Sequence, residues 1–212
     1  MKTQIPPRVL IIEDHQILRD ALRAALAEEF DVIEAASAEQ GYRDVEEQSP
    51  DVVILDLSLP GKGGLTLLRR IHAWRTSVPV LVLSMYTEAS LVRRAMELGA
   101  SAYVSKQAAL DILVQAVNRV LEGETYLDPL VAMEIGNASV SRRRTGLDEL
   151  TAREMEVFLE LTNGAKVDEI AARLSISPNT VANHRRNLME KLGARNSAEL
   201  VRIAAQHQLV SN

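Results

Sequence analysis

The 212-residue chain has no cysteine, so a disulfide framework, a thiolate zinc site and a thiol nucleophile are all excluded. A reducing compartment agrees with that absence, and the chain reads as cytoplasmic. Long hydrophobic runs are also missing. Nothing approaches the roughly 20 apolar residues that cross a bilayer, and Met1 to Arg8 carries no apolar stretch of the secretory-signal type. No membrane partner is expected. No G-x-G-x-x-G follows the first apolar run and no Walker A sequence occurs, which removes the common glycine-rich phosphate cradles. Neither internal repeats nor low-complexity tracts are evident. There is no large excess of one charge, the formal net charge being −5, although a sum over the whole chain can conceal a local basic face. What is present, 47% hydrophobic and 25% charged residues, is the composition of a folded globular protein with material for one large core or two small ones.

From Arg8 to about Glu122, short β-branched or leucine-rich runs alternate with stretches of helical period, the pattern of a parallel α/β sheet. Strands are expected at residues 9–13, 31–34, 52–56, 80–84 and 102–105, and helices near 17–28, 38–47, 65–74, 88–98 and 110–121. The expected fold class is a doubly wound, five-stranded parallel sheet of the flavodoxin-like type. Ser37 with Gln40 fits a capping box, and Gly99 stands where a helix end often needs a left-handed residue.

After Gly123 the alternation stops, and 126–146 mixes Pro129, Gly136, serines and the run Arg142, Arg143, Arg144, which is linker composition. Beyond Thr151 only helical patterns occur, at 152–162, 168–174, 178–192 and 198–206. Thr151 with Glu154 and Asn196 with Glu199 fit capping boxes, and Ser177 places a cap directly before Pro178. The expected organisation is an α/β domain at 1–125, a linker at 126–146 and an all-α four-helix domain at 147–212.

Parallel strands of a doubly wound sheet direct their carboxyl ends to one edge, where ligands bind. Glu13 and Asp14 end the first strand, Asp56 the third and Ser84 the fourth, while Lys106 follows the fifth, so these residues should converge. Crowded carboxylates repel unless a cation sits among them, and an all-oxygen set suits Mg²⁺. A magnesium-assisted phosphoryl acceptor is the chemistry this set implies: Asp56 attacks phosphorus, Mg²⁺ and Lys106 neutralise the phosphoryl oxygens, and the Ser84 hydroxyl bonds the product. Taken singly, each residue is an ordinary helix cap or solvated side chain; their grouping at one sheet edge carries the inference.

The motifs IIEDH at 11–15, VVILDLSLPGKGG at 52–64, VLVLS at 80–84 and GASAYVSK at 99–106 resemble those of response-regulator receiver domains. That resemblance implies Asp56 as the phosphoacceptor, with Glu13, Asp14 and the Ser58 backbone carbonyl completing the metal site. It also implies that Ser84 and an inward-rotating Tyr103 form the switch pair, and that Lys106 contacts phosphate. Catalysis would be limited to the chain's own phosphorylation and dephosphorylation, with a sensor histidine kinase as partner. Gln107 stands where many receivers have proline, which puts a cis peptide after Lys106 in doubt, and Glu13 takes a place often held by Asp.

In the second half, Ile170, Leu174 and Ile176 followed by the stripe Val181, His184 or Arg185, Leu188 and Leu192 fit a helix-turn-helix. His184 reads as a packing residue rather than a metal ligand. From Asp148 to Glu169 there are seven acids against Arg153 and Lys166, while 178–195 carries Arg185, Arg186, Lys191 and Arg195 against Glu190. The domain is therefore polarised, with its positive end on the second helix of the motif. LTAREMEV at 150–157 and EIAARLSISPNTVANHRRNLMEKLGARNSAELV at 169–201 resemble the LuxR-type DNA-binding domain. The two resemblances together match the NarL/FixJ subfamily of response regulators. That implies promoter DNA as partner and a homodimer on phosphorylation. Asn179, Ala182, Asn183 and Arg186 are expected to face base edges, and Thr180, Arg185 and Lys191 to touch phosphates. Alternatives are an aspartyl-phosphate phosphatase, disfavoured because Ser58 stands where a second Asp is needed, and a DNA-binding regulator whose receiver serves only for dimerisation.

Overall fold

The computed structural model describes residues 5–60, 63–74, 77–140, 146–207 and 209. The first unit alternates β1 (Arg8–Ile12), α1 (Gln16–Leu26), β2 (Asp31–Ala35), α2 (Ala38–Gln48), β3 (Val52–Asp56), α3 (Gly64–Trp74), β4 (Val80–Ser84), α4 (Ala89–Glu97), β5 (Ala102–Ser105) and α5 (Leu110–Leu121). The strands pair in parallel in the order β2-β1-β3-β4-β5, so the winding reverses between β1 and β3. β3 and β4 are buried at every position because helices cover both faces. Val9 and Ile11 face the side covered by α1 and α5, whereas Leu10 and Ile12 face α2, α3 and α4. All five expected strands form, and Gly99 takes the expected left-handed conformation at φ +102°.

The segment expected to be linker is structured as far as Val140. β6 (Tyr126–Leu127) adds a sixth parallel strand beside β5, and α6 (Pro129–Val140) comes next. Pro129, read from sequence as part of a linker, opens α6, with Asp128 accepting from Val131 N at 2.9 Å as its cap. Arg142, Arg143 and Arg144 lie outside the described residues.

The second unit comprises a 3₁₀ turn (Gly146–Glu149) and α7 (Ala152–Thr162), α8 (Val167–Arg173), α9 (Pro178–Leu192) and α10 (Ser197–Gln206). The Thr151–Glu154 capping box forms in both directions. Ser177 caps α9 by accepting from Thr180 N at 3.1 Å. The turn between α8 and α9 passes through Ser175 at φ +50°, a left-handed conformation that non-glycine residues seldom adopt. Phe158, Ile170, Leu174, Val181, Leu188 and Leu200 form the core of this unit, which is continuous with the α2–α4 side of the sheet core. Among the described residues no helix is long and apolar enough to cross a membrane.

Candidate functional site

The carboxyl edge of the sheet brings the expected residues together. Lys106 Nζ stands 2.8 Å from Glu13 Oε2 and 2.9 Å from Asp56 Oδ2, joining the ends of β1, β3 and β5. Ser58 N donates to Asp56 Oδ1 at 2.9 Å, and His15 N donates to Glu13 Oε1 at 3.1 Å. Asp56 Oδ2 is shielded from solvent and, among the described residues, has no well-aligned hydrogen-bond donor, so its contact with the ammonium is an ion pair. Asp14 Oδ1 is likewise shielded and accepts no hydrogen bond from the described residues.

Glu13, Asp14 and His15 present ligand atoms all within 4.8 Å of one another. His15 was not anticipated from sequence, although it follows the acidic pair directly. Buried oxygens without donors suit a hard cation such as Mg²⁺, whereas an exposed imidazole nitrogen suits softer metals. The residues present therefore fit Mg²⁺. Asp56 lies outside this close group, with Lys106 between it and Glu13.

Burial raises the Asp56 carboxyl above its ordinary range, and the Glu13 charge adds to this, while Lys106 and the Ser58 N–H oppose it. Burial alone would push the Lys106 amine down, but Asp56 and Glu13 outweigh it and the group is held above its ordinary value. It is an ammonium at any physiological pH. Ser84 Oγ accepts from Tyr86 N at 3.1 Å, and Tyr103 OH donates to Tyr86 O at 2.6 Å. Burial pushes the Tyr103 phenol up, so it remains a donor. Tyr103 is already fully buried, so the expected inward rotation has no outward position to start from. The Lys106–Gln107 peptide is trans.

On α9, Asn179, Ala182, Asn183 and Arg186 are exposed while Val181 and Leu188 are buried on the opposite side, as the helical spacing requires. The three residues expected to contact phosphates each have a partner within the chain. Thr180 Oγ1 shares a 2.8 Å hydrogen bond with Ser177, and Arg185 Nη2 donates to Ser197 Oγ at 3.0 Å. Lys191 Nζ reaches Glu154 Oε2 at 2.6 Å and Glu149 O at 3.1 Å. His184 is half-buried, its imidazole pushed down by burial and by Arg153, and among the described residues it belongs to no metal-holding group.

Residues 9–118 match the family described as response regulator receiver domain, and residues 148–204 match bacterial regulatory proteins, luxR family. The transcriptional activator protein ExaE of Pseudomonas putida is 37% identical over 211 residues, covering 95% of this chain and 97% of ExaE. Response regulator UvrY of Escherichia coli (strain K12) is 32% identical over 206 residues, covering 95% of this chain and 94% of UvrY. The chain is a response regulator of the NarL/FixJ subfamily. It is thus a two-component transcriptional regulator with a LuxR-type DNA-binding domain. Among solved structures, Salmonella enterica serovar Typhimurium RcsB, bound to promoter P1flhDC in the presence of phosphomimetic BeF3−, matches with a TM-score of 0.74. That match is 26% identical and covers 94% of this chain and 98% of RcsB.

The two halves of this response regulator touch through polar contacts that sequence patterns did not reveal. Thr66 N and Oγ1 donate to Glu156 Oε1 at 3.0 Å and Oε2 at 3.2 Å, and Arg153 Nη1 lies 2.8 Å from Oε2. Gly63 permits this approach, since a Cβ there would stand 2.2 Å from Glu156 Cδ. Asn163 Nδ2 donates to Tyr86 OH at 2.9 Å, and His207 Nδ1 lies 3.2 Å from Glu88 Oε1. Leu57, Leu65, Tyr86, Leu159 and Leu174 line a small cavity of about 60 Å³ between the halves. The only signal for Glu156 in the sequence is its place among Met155, Val157 and Phe158, all buried.

Proposed function

We propose that Asp56 accepts a phosphoryl group and that this modification governs DNA binding by the C-terminal unit. The observation that carries the reading is the partly buried Lys106 ammonium, 2.9 Å from Asp56 and 2.8 Å from Glu13, a counter-charge already in place for an anionic group. An Asp56 carboxylate oxygen attacks phosphorus. The bond from phosphorus to the donor breaks, its electron pair leaving with the imidazole nitrogen of a sensor histidine kinase or the acetate oxygen of acetyl phosphate. Lys106 then shifts to a phosphoryl oxygen, and the Ser84 hydroxyl donates to another. Glu13, Asp14, Asp56 and the Ser58 backbone carbonyl would hold Mg²⁺, which when bound neutralises charge on the phosphoryl oxygens. Hydrolysis of the acyl phosphate, returning Asp56 and inorganic phosphate, is the only other turnover in this reading.

Drawing Ser84 toward the phosphoryl group withdraws the acceptor now held by Tyr86 N, and Tyr86 also takes the Tyr103 and Asn163 hydrogen bonds. The switch therefore acts on the segment that touches the DNA-binding unit. Residues 1–125 form the receiver, 126–146 the connection and 147–212 the DNA-binding unit. Since the base-facing side of α9 is open, phosphorylation acts by permitting a dimer rather than by uncovering that helix. Pairing through α10 would set two α9 helices on an inverted repeat of promoter DNA, about one helical turn apart. RcsB, solved on promoter DNA with a phosphomimetic, supports this reading. A cytoplasmic location agrees with a sensor kinase and promoter DNA as partners.

The test is incubation with acetyl phosphate and Mg²⁺, followed by intact mass, light scattering and footprinting. One phosphoryl group on the wild type, none on Asp56→Asn, and a phosphate-dependent dimer with tighter DNA binding are expected. Equal labelling of the mutant, or identical oligomer and affinity with and without phosphate, would overturn the reading.

A further inference from the structure

We propose that Asp128 is a positioning residue that ties the end of β5, next to Lys106, to the start of α6, carrying a change at the phosphoryl site into the connection between the two units. The inference rests on the phosphoacceptor reading above. Asp128 is fully buried, and its two carboxylate oxygens serve different elements. Oδ2 accepts from Ser105 N, and Oδ1 accepts from Val131 N at 2.9 Å. Its own N–H donates to Tyr103 O at 3.1 Å, and its carbonyl accepts from Ala132 N at 2.9 Å.

Burying a carboxylate is costly, and an exposed Ser or Asn would start α6 as well. The acid is needed for the other bond. β6 ends at Leu127, opposite Tyr103, so Ser105 N has no strand partner on that side, and the Asp128 carboxylate takes the place of one. On the opposite side Lys106 N donates to Ser84 O at 2.8 Å. The Ser105–Lys106 backbone is thus held between Ser84 and Asp128, and a displacement of either Ser84 or Lys106 is passed to α6.

α6 is itself anchored in the core. Val131 is fully buried, and Ile135 packs into the cluster that contains Tyr103 and Leu91. α6 packs against α4, which Glu88 opens, and the Glu88 carboxylate meets His207 of the DNA-binding unit at 3.2 Å. Motion entering α6 at Asp128 therefore reaches a contact between the units.

Asp128→Ser separates the two roles, since a short hydroxyl caps α6 but cannot reach Ser105 N. The full chain, wild type and variant, is treated with acetyl phosphate and Mg²⁺, with labelling followed by intact mass and helicity by circular dichroism. Affinity for a selected DNA site is measured with and without phosphate. The variant is expected to keep wild-type helicity and take up one phosphoryl group, while its phosphate-dependent gain in DNA affinity is lost. A gain equal to that of the wild type overturns the tie while leaving the phosphoacceptor reading intact. A wild type that takes up no phosphoryl group, or shows no gain, overturns the phosphoacceptor reading and the tie with it. Should the variant fail to fold, hydrogen exchange of the wild type decides: the Ser105 and Val131 amides should change protection together on phosphorylation, and a change confined to Ser105 overturns the proposal.

Discussion

Glu156 of the DNA-binding unit caps the first turn of the receiver's α3, accepting Thr66 N at 3.0 Å and the Thr66 hydroxyl at 3.2 Å across 90 residues of sequence. A carboxylate at a helix N-terminus is favourable, and α3 is the helix that comes after the Asp56 loop. Glu156→Ala takes one acceptor from Thr66 N and one from Arg153, a loss of about 1–3 kcal/mol. The unphosphorylated variant should show a larger radius of gyration by X-ray scattering and a DNA affinity raised toward the phosphorylated level. An unchanged scattering profile and affinity would show that this contact does not hold the units together.

The same carboxylate predicts a pH dependence. Burial raises Glu156 above its ordinary value of 4.5, and its bonds to Arg153 and Thr66 only partly oppose this. As pH rises from 4.5 through the raised folded value, the unfolded chain has released this proton while the folded chain still binds it. Stability therefore falls across that window and levels off above it. Glu156→Gln lacks this titration, so the wild-type melting temperature should decline relative to the variant as pH rises above 4.5. Parallel melting curves at every pH would contradict the assignment.

Lys106→Ala leaves Glu13 and Asp56 buried without their cation. Breaking such a pair costs about 3–5 kcal/mol. Mg²⁺ should restore more stability to this variant than to the wild type in thermal melts, because the two carboxylates are then unbalanced. Phosphate should no longer tighten DNA binding. A melting temperature equal to that of the wild type without Mg²⁺ would argue against the ion pair, and a wild-type DNA response would argue against the role of the lysine.

Base reading on α9 separates Arg186 from Arg185. Arg186 is exposed on the face opposite Val181 and Leu188, whereas Arg185 is tied to Ser197 at 3.0 Å. If Arg186 pairs with a guanine, Arg186→Ala should cost about 1–3 kcal/mol at the specific site and relax preference at one base in each half-site. Arg185→Ala should weaken all sequences alike. Randomised-site selection with both variants is the measurement; a shifted motif for Arg185→Ala or an unchanged one for Arg186→Ala would reverse the roles.

The alternation of apolar runs and helical periods was enough to place β1 to β5 and the helices around them, because burial on two faces writes itself into neighbouring residues. Convergence of Glu13, Asp14, Asp56, Ser84 and Lys106 was also legible, since parallel strands leave their carboxyl ends at one edge. The open face of α9 followed from spacing alone. What tertiary structure decided is where polar side chains find partners. Lys191 is one basic residue among several in the sequence, and only the fold sets Glu154 2.6 Å from it. Asp128 sat in linker composition until β5 lay beside it, and Glu156 was one acid among seven until α3 met it. Local pattern records whether a residue faces water or core on its own element. Which charge meets which depends on the docking of elements far apart in the chain, and no window of sequence contains that distance.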